Sequence, residues 1–512
     1  MTFGLIGVVV SLILLIVLAY RGVSVIVAAP LCAVVAMLFS GAPLLAGYTQ
    51  IFMPALANFV LNYFPIFVTG AIFGRLMSVT GYAEAIARTI TRWVGPSQAI
   101  LATILTAAVL TYGGISTFVA VFVMFPLAKE LFRQADIPRR LIPASIAVGT
   151  LTFTMTAIPG SPQIQNIIPG QFFGTSTFAA PVIGTIGGVM MFTLGLVWVN
   201  FRARRLAAAG ESFVDASILE QREAGETRPT VGAASVSQGR EGSSGRDGHG
   251  RAPVMTREAD ANAGVQMLKR DSEASEAIIP LPKLSVLAFL PVIAVFAVNF
   301  LATTVILPAM NWDYLSEERY GGISLSDRVS LWAVLCALLV AIAMLLLMNA
   351  RHFRALVENL ASGAKNSLLP IFSTASEVGY GAVVASLAAF AIIRDGILTE
   401  GANALVASAV STSVIAGITG SASGGMTIAL NALGADLESM AQAQGITMEA
   451  MHRVTAMASG GLDSMPHNGA VITLLMVCGM THRESYKDVG VVTLVIPVLV
   501  TAMVIGGLVA MG

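Results

Sequence analysis

Twelve apolar stretches of 20 residues or more dominate the chain and restrict what it can fold into. They lie near 1–20, 22–45, 55–80, 97–130, 138–158, 176–202, 284–307, 330–349, 366–393, 403–436, 450–481 and 486–511. About 18 consecutive apolar residues suffice for a helix to cross the hydrocarbon core of a bilayer. The 512 residues are 56% hydrophobic and 11% charged, with mean hydropathy +0.80, so a soluble fold would have too little polar surface to cover itself. The expectation is an all-α polytopic membrane protein surrounded by lipid. A formal net charge of zero argues against a nucleic-acid partner. Cys32, Cys336 and Cys478 all fall in apolar stretches, which points to packing rather than to a disulfide framework or a metal site. The first stretch has no basic region before it and reads as a span, not a cleaved signal.

Two of the stretches, 97–130 and 403–436, are each 34 residues long. That is too long for one crossing and too short for two crossings with a turn. Small residues interrupt both, YGGIST at Tyr112–Thr117 and TGSASGGM at Thr419–Met426. A re-entrant helical hairpin fits each. The positions of Lys and Arg agree with this. With ten full crossings, two hairpins and the Arg202, Arg204, Arg205 cluster in the cytoplasm, 17 of the 29 basic residues fall in inside loops. Four lie outside, Arg319, Arg328, Arg394 and Arg453, and eight lie before Lys283 in a polar segment also inside. Both termini are then periplasmic. The polar segment, 206–283, is rich in Gly, Ser and Arg, as in VSQGREGSSGRDGHGRAP, and reads as a flexible cytoplasmic linker.

The linker separates two membrane halves, 1–205 and 284–512. Each reads as three spans, a hairpin, a broken span and a final span. Stretches starting at 55, 97 and 176 recur at 366, 403 and 486, a near-constant offset of 306 to 311 residues. Five crossings per half is an odd number, so the halves point opposite ways. This is an inverted-topology repeat, an architecture of secondary transporters.

The broken spans, 138–175 and 450–481, contain TAIPGSPQIQN (Thr156–Asn166) and ASGGLDSMPHNGAV (Ala458–Val471). Lipid cannot satisfy free backbone N–H and C=O groups, so four breaks at matching positions argue for one covered cavity. The amides at a half-helix start carry partial positive charge and can hold a carboxylate without an arginine. No Lys or Arg is placed deep in an apolar stretch by this reading. Candidates to bind an anion are therefore Ser116, Thr117, Ser161, Gln163, Asn166, Ser421, Ser423, Ser464 and Asn468, with His467 beside them. Taken singly, a Gly or Ser here also suits close helix packing. Ser161–Pro162, and Asp463, Ser464 and Pro466, resemble helix starts with a cap and a first-turn proline. Glu377 and Asp463 are the acids well inside apolar stretches. At mid-bilayer a carboxylate costs at least ~3 kcal/mol, so such residues usually face the interior and work. Glu377, Asp463 and His467 are the proton-coupling candidates. The bland alternatives are a buried acid tied to a neighbour, a helix cap and a satisfied core histidine. The other histidines, including His452, fall in loops or at helix ends.

SGGLDSMPHNGAVITLLMVCGMTHRESYKD, TAIPGSPQIQNIIP and YGGISTFVAVFVMFPLAKELF resemble the gluconate permease (GntP) family of the ion transporter superfamily, nearest its hydroxybutyrate permease-like branch. The resemblance covers both membrane halves and not the linker. It implies an elevator-type homodimer in the bacterial inner membrane that imports a small organic acid anion with protons. No bound cofactor is implied. Carried over, the substrate site would include Ser116, Ser161, Gln163, Ser423, Ser464, His467 and Asn468. Some superfamily relatives use sodium, which backbone carbonyls at the breaks could coordinate. An anion channel is a competing class. An intramembrane hydrolase using Ser464, His467 and Asp463 is a weaker one, because one short segment rarely supplies a triad's geometry.

Overall fold

The computed structural model describes residues 2–21, 23–213, 285–398 and 401–511. All regular structure among them is helical. The linker expected over 206–283 lies outside the described residues from 214 onward; before that, the preceding helix runs past Arg205 to Ala208.

The first half contains α1 (Thr2–Tyr20), α2 (Val25–Ser40), a long helical run α3 (Leu44–Val79) and a short amphipathic α4 (Tyr82–Val94). A hairpin of α5 (Ala99–Tyr112) and α6 (Thr117–Gln134) follows. Next come α7 (Ile142–Thr150), an irregular stretch, α8 (Ile168–Phe173) and α9 (Pro181–Ala208). The second half contains α10 (Leu290–Leu301), α11 (Val329–Met348), α12 (Phe353–Asn366), α13 (Leu368–Ser386) and a short α14 (Phe390–Ile397). Its hairpin is α15 (Ala404–Thr419) and α16 (Ala422–Ala443). Then come α17 (Met448–Ser459), α18 (Gly469–Val477), and a final run made of α19 (His482–Gly490) and α20 (Ile496–Met511).

Six of these runs are long and apolar enough to cross a membrane, so this is a multi-pass membrane protein. Four further apolar helices are shorter, Phe3–Leu18, Val25–Ser40, Ala99–Tyr112 and Ala404–Thr419. The spans near 55–80 and 366–393 differ from expectation, because each belongs to a helical run of 36 or 37 residues, Leu44–Val79 and Ala350–Ser386. Their polar ends hide the extra turns from a hydropathy reading. A short amphipathic helix follows each, unforeseen in the sequence: α4, where Glu84 and Arg88 pair at 2.6 Å on the exposed side, and α14.

The sequence of elements, long run, short amphipathic helix, hairpin, broken span and closing helix, thus occurs twice. Each hairpin turns on a glycine with left-handed backbone, Gly114 at φ +92° and Gly420 at φ +68°. A buried ion pair joins the closing helices of the two halves. Arg202 of α9 donates to the fully buried Asp488 of α19 at 2.6 Å.

Candidate functional site

The two halves treat their breaks alike. In the first, α7 ends at Thr150 and the chain passes through Pro159–Gly160–Ser161–Pro162 before α8. The side chain of Gln163 reaches across to the hairpin, where its Nε2 donates to the carbonyl of Thr111 at 2.7 Å. Tyr112 answers by donating to the carbonyl of Pro159 at 2.8 Å. In the second, α17 ends at Ser459 and the chain passes through a 3₁₀ turn, Leu462–Ser464, to α18. Here Asn468 reaches across, its Nδ2 donating to the carbonyl of Gly420 at 2.9 Å. In each case a carboxamide from the broken span donates to a carbonyl at the end of the first hairpin helix; that of Thr111 also accepts from the Gly114 amide at 3.0 Å.

These breaks lie against each other. A methyl group added at Gly460 would stand 2.6 Å from Thr156 Cγ2, so the two broken spans touch there. The α16 helix packs beside the turn Ile164–Asn166, and α18 packs beside α6. Ser161, Asn166, Ser423, Asp463, Ser464, His467 and Asn468 are all buried. Ser116, Thr117, Gln163 and Ser421 are partly exposed.

The cap assignments need correction. Ser161 caps no helix. Its hydroxyl donates to the carbonyl of Thr154 at 2.5 Å, and α8 has no side-chain cap. Asp463 caps nothing either; it sits inside the 3₁₀ turn and accepts from the Ser464 hydroxyl at 3.1 Å. The cap of α18 is Asn468, whose Oδ1 accepts from the Val471 amide at 2.8 Å while its Nδ2 holds the hairpin. Ser421 caps α16 through the Gly424 amide at 3.2 Å.

Glu377, on α13, comes to the tip of the second hairpin. A methyl group at Gly424 would lie 2.5 Å from its Oε2 and 3.0 Å from the Ser421 hydroxyl, so glycine is what lets the acid approach the start of α16. The Ser421 side chain lies against the same glycine as that carboxyl group. Its Oε2 is buried with no hydrogen-bond partner, as is Nε2 of His467, which lies against Gly420 at the same tip.

A profile of the GntP family permeases matches residues 3–238. An uncharacterized transporter, YxjC, of Bacillus subtilis (strain 168) is 39% identical over 493 residues, covering 95% of both chains. The chain belongs to the GntP permease family. An uncharacterized transporter of Haemophilus influenzae is 28% identical over 158 residues, 30% of this chain and 35% of that protein. A permease moves solutes and makes no covalent product, so the chain is a transporter and not an enzyme.

The permease also buries two groups that the sequence reading left outside. Arg453, assigned to an outer loop, is within α17 and has no exposed surface. Its guanidinium donates to Asn166 Oδ1 at 2.7 Å, to the carbonyl of Ala179 at 2.8 Å and to that of Thr177 at 3.1 Å. His452, assigned to a loop or helix end, is equally buried, with Nδ1 2.7 Å from the Thr175 hydroxyl. This buried cation meets carbonyls and a carboxamide, and no carboxylate pairs with it among the described residues. It thus clamps the first broken span to the second half. Asn166 is engaged on both sides by this clamp, since its Nδ2 donates to the carbonyls of Ser161 and Thr177 at 2.9 Å. Of the candidate anion ligands, Asn166 is therefore the one most occupied by the protein itself.

Proposed function

We propose that this permease is a secondary active importer of a small organic acid anion, such as a short hydroxy-monocarboxylate or a gluconate-like acid, coupled to protons. It would sit in the bacterial inner membrane as a homodimer, with periplasmic termini and a cytoplasmic linker. The observation that carries the reading is the second hairpin tip. There a buried carboxyl group with an unpartnered oxygen, Glu377, meets Ser421, Gly424 and the α16 start. Amides at a helix start favour an anion, and a buried carboxyl beside them can carry the proton that accompanies it. Family membership supplies the transport class. The twice-occurring element order supports an inverted repeat, in which the hairpins and broken spans would move together as an elevator.

Sodium coupling is the second reading. Against it, carbonyls at the breaks already accept from side chains, Thr111 from Gln163, Gly420 from Asn468, and Thr177 and Ala179 from Arg453.

Purified protein in liposomes decides between them. An imposed inward proton gradient should drive accumulation of labelled gluconate or 3-hydroxybutyrate above its external level. An uncoupler should abolish it, and removing sodium should not. Flux that runs only downhill under every gradient would make the protein a channel.

A further inference from the structure

A cleft with several polar side chains in its lining lies away from the hairpin tips. It has a volume of about 370 Å³ and opens between α3 and α13 on one side and α8 and α16 on the other. Five carboxamides line it, from Gln50, Asn58, Asn62, Gln171 and Asn431, together with the Tyr63 and Thr427 hydroxyls. Side-chain amides inside membrane helices are costly unless they find partners, so five around one cleft need an account.

Internal bonding accounts for only part of them. Asn62 accepts from Arg328 at 2.7 Å and donates to the Asn58 carbonyl at 2.9 Å. Gln171 accepts from the Tyr63 hydroxyl at 2.8 Å, yet its Nε2 is buried without a partner. The side chains of Asn58 and Asn431 make no hydrogen bond among the described residues. Arg328 brings a guanidinium with no carboxylate partner among those residues. The cleft thus offers both donors and acceptors, and one positive charge, Arg328, stands behind Asn62 outside its lining.

Its floor leads to Glu377. Gly424, Thr427 and Asn431 follow one another on one face of α16, and Thr427 lies about 4.5 Å along the axis from Gly424, where the Glu377 carboxyl sits. The next residue on α13, Val378, lines the cleft.

The geometry points to a vestibule subsite that binds a hydroxylated carboxylate before it reaches the hairpin tips. Each hydroxyl both donates and accepts, which suits amides, whereas an alkyl acid would leave those amides unpaired. Arg328 supplies the attraction for the carboxylate through Asn62. The assignment rests on the importer reading above and adds the place where the hydroxyls of such an acid are recognised.

The test uses full-length protein with Cys336→Ser, carrying Asn431→Cys or, separately, Asn58→Cys. Labelling by a membrane-impermeant thiol reagent is followed with gluconate, 3-hydroxybutyrate or butyrate present, alongside liposome uptake. Both hydroxy acids should slow labelling at each position and butyrate should not. In the Asn431→Leu protein, affinity for gluconate should fall about fivefold, as for one lost hydrogen bond, and affinity for butyrate should be unchanged. Protection without uptake would keep the subsite and remove the importer reading. Uptake of a hydroxy acid without protection at either cysteine would remove the subsite and keep the importer. Absence of both would overturn both, and equal protection by butyrate would overturn the preference for hydroxyls.

Discussion

Arg453 Nη1 donates to Asn166 Oδ1 at 2.7 Å, across 287 residues of sequence and from one membrane half to the other. The charge is held by oxygen dipoles alone, so its removal strands acceptors rather than a counter-ion.

Replacing Arg453 by Met should therefore destabilise the fold by at least about 3 kcal/mol. Three acceptors, Asn166 Oδ1 and the carbonyls of Thr177 and Ala179, would each lose a donor at roughly 1–3 kcal/mol. Thermal unfolding in detergent measures this. Arg453→Lys, with a shorter reach and no planar fork, should fall between the two. A wild-type melting temperature in both would show the clamp to be dispensable.

Glu377→Gln should leave substrate binding intact and remove the response of uptake to a proton gradient. Glutamine keeps the shape and one acceptor oxygen but has no acidic proton to exchange. Uptake in liposomes at a series of internal and external pH values reads the effect. An unchanged gradient dependence would take Glu377 out of the coupling step, leaving Asp463 to be tested the same way.

The two bridging carboxamides should differ in what they cost. Gln163→Ala removes one bond, to Thr111, and should cost about 1 kcal/mol of stability while raising the substrate KM. Asn468→Ala removes both the bond to Gly420 and the cap of α18, and should cost about 2 kcal/mol. Asn468→Asp keeps the capping oxygen and should recover roughly half of that loss. Equal stability of Asn468→Ala and Gln163→Ala would deny Asn468 its double duty.

Gly420→Ala should disable the second hairpin. The backbone there is left-handed, and the added methyl would stand 2.7 Å from His467 Cδ2. The expected cost is about 1–2 kcal/mol of backbone strain plus the displacement of His467. Gly401→Ala is the control, because Gly401 has φ +81° but open space around it. Comparable uptake by the two variants would mean that the His467 contact is not needed.

Much of this was legible in the amino-acid order. Small and proline residues in long apolar stretches marked both hairpins and both broken spans, because lipid tolerates few other reasons for them. Glu377 stood out because an acid in such a stretch is expensive. The sequence could not reveal Arg453 as buried. It lies in a short, mixed helix, MEAMHRVTAMAS, whose polarity reads as a loop edge, and its acceptors come from the other half of the chain. The caps were misread for a related reason. Proline and serine signal that a helix begins nearby, yet the partner of each polar atom depends on which segment folds against it. The vestibule left a faint trace, since Gln50, Asn58 and Asn62 fall on one face of α3, but Gln171 and Asn431 join them only through the tertiary fold.

The length of the two long helical runs has a consequence for the surrounding lipid. At about 1.5 Å per residue, the 36 residues of Leu44–Val79 extend roughly 54 Å, against a hydrocarbon core of about 30 Å. Even a steep tilt of about 40° leaves around 10 Å standing clear of the acyl chains. A run of that length would stand as a post across both leaflets, and α4, an amphipathic helix leaving its far end, would lie at the level of the headgroups. Since α4 leads straight into the first hairpin, a thicker or thinner bilayer would press on the base of that hairpin. Uptake in liposomes of increasing acyl-chain length should then vary with bilayer thickness, and constant uptake across the series would remove this coupling.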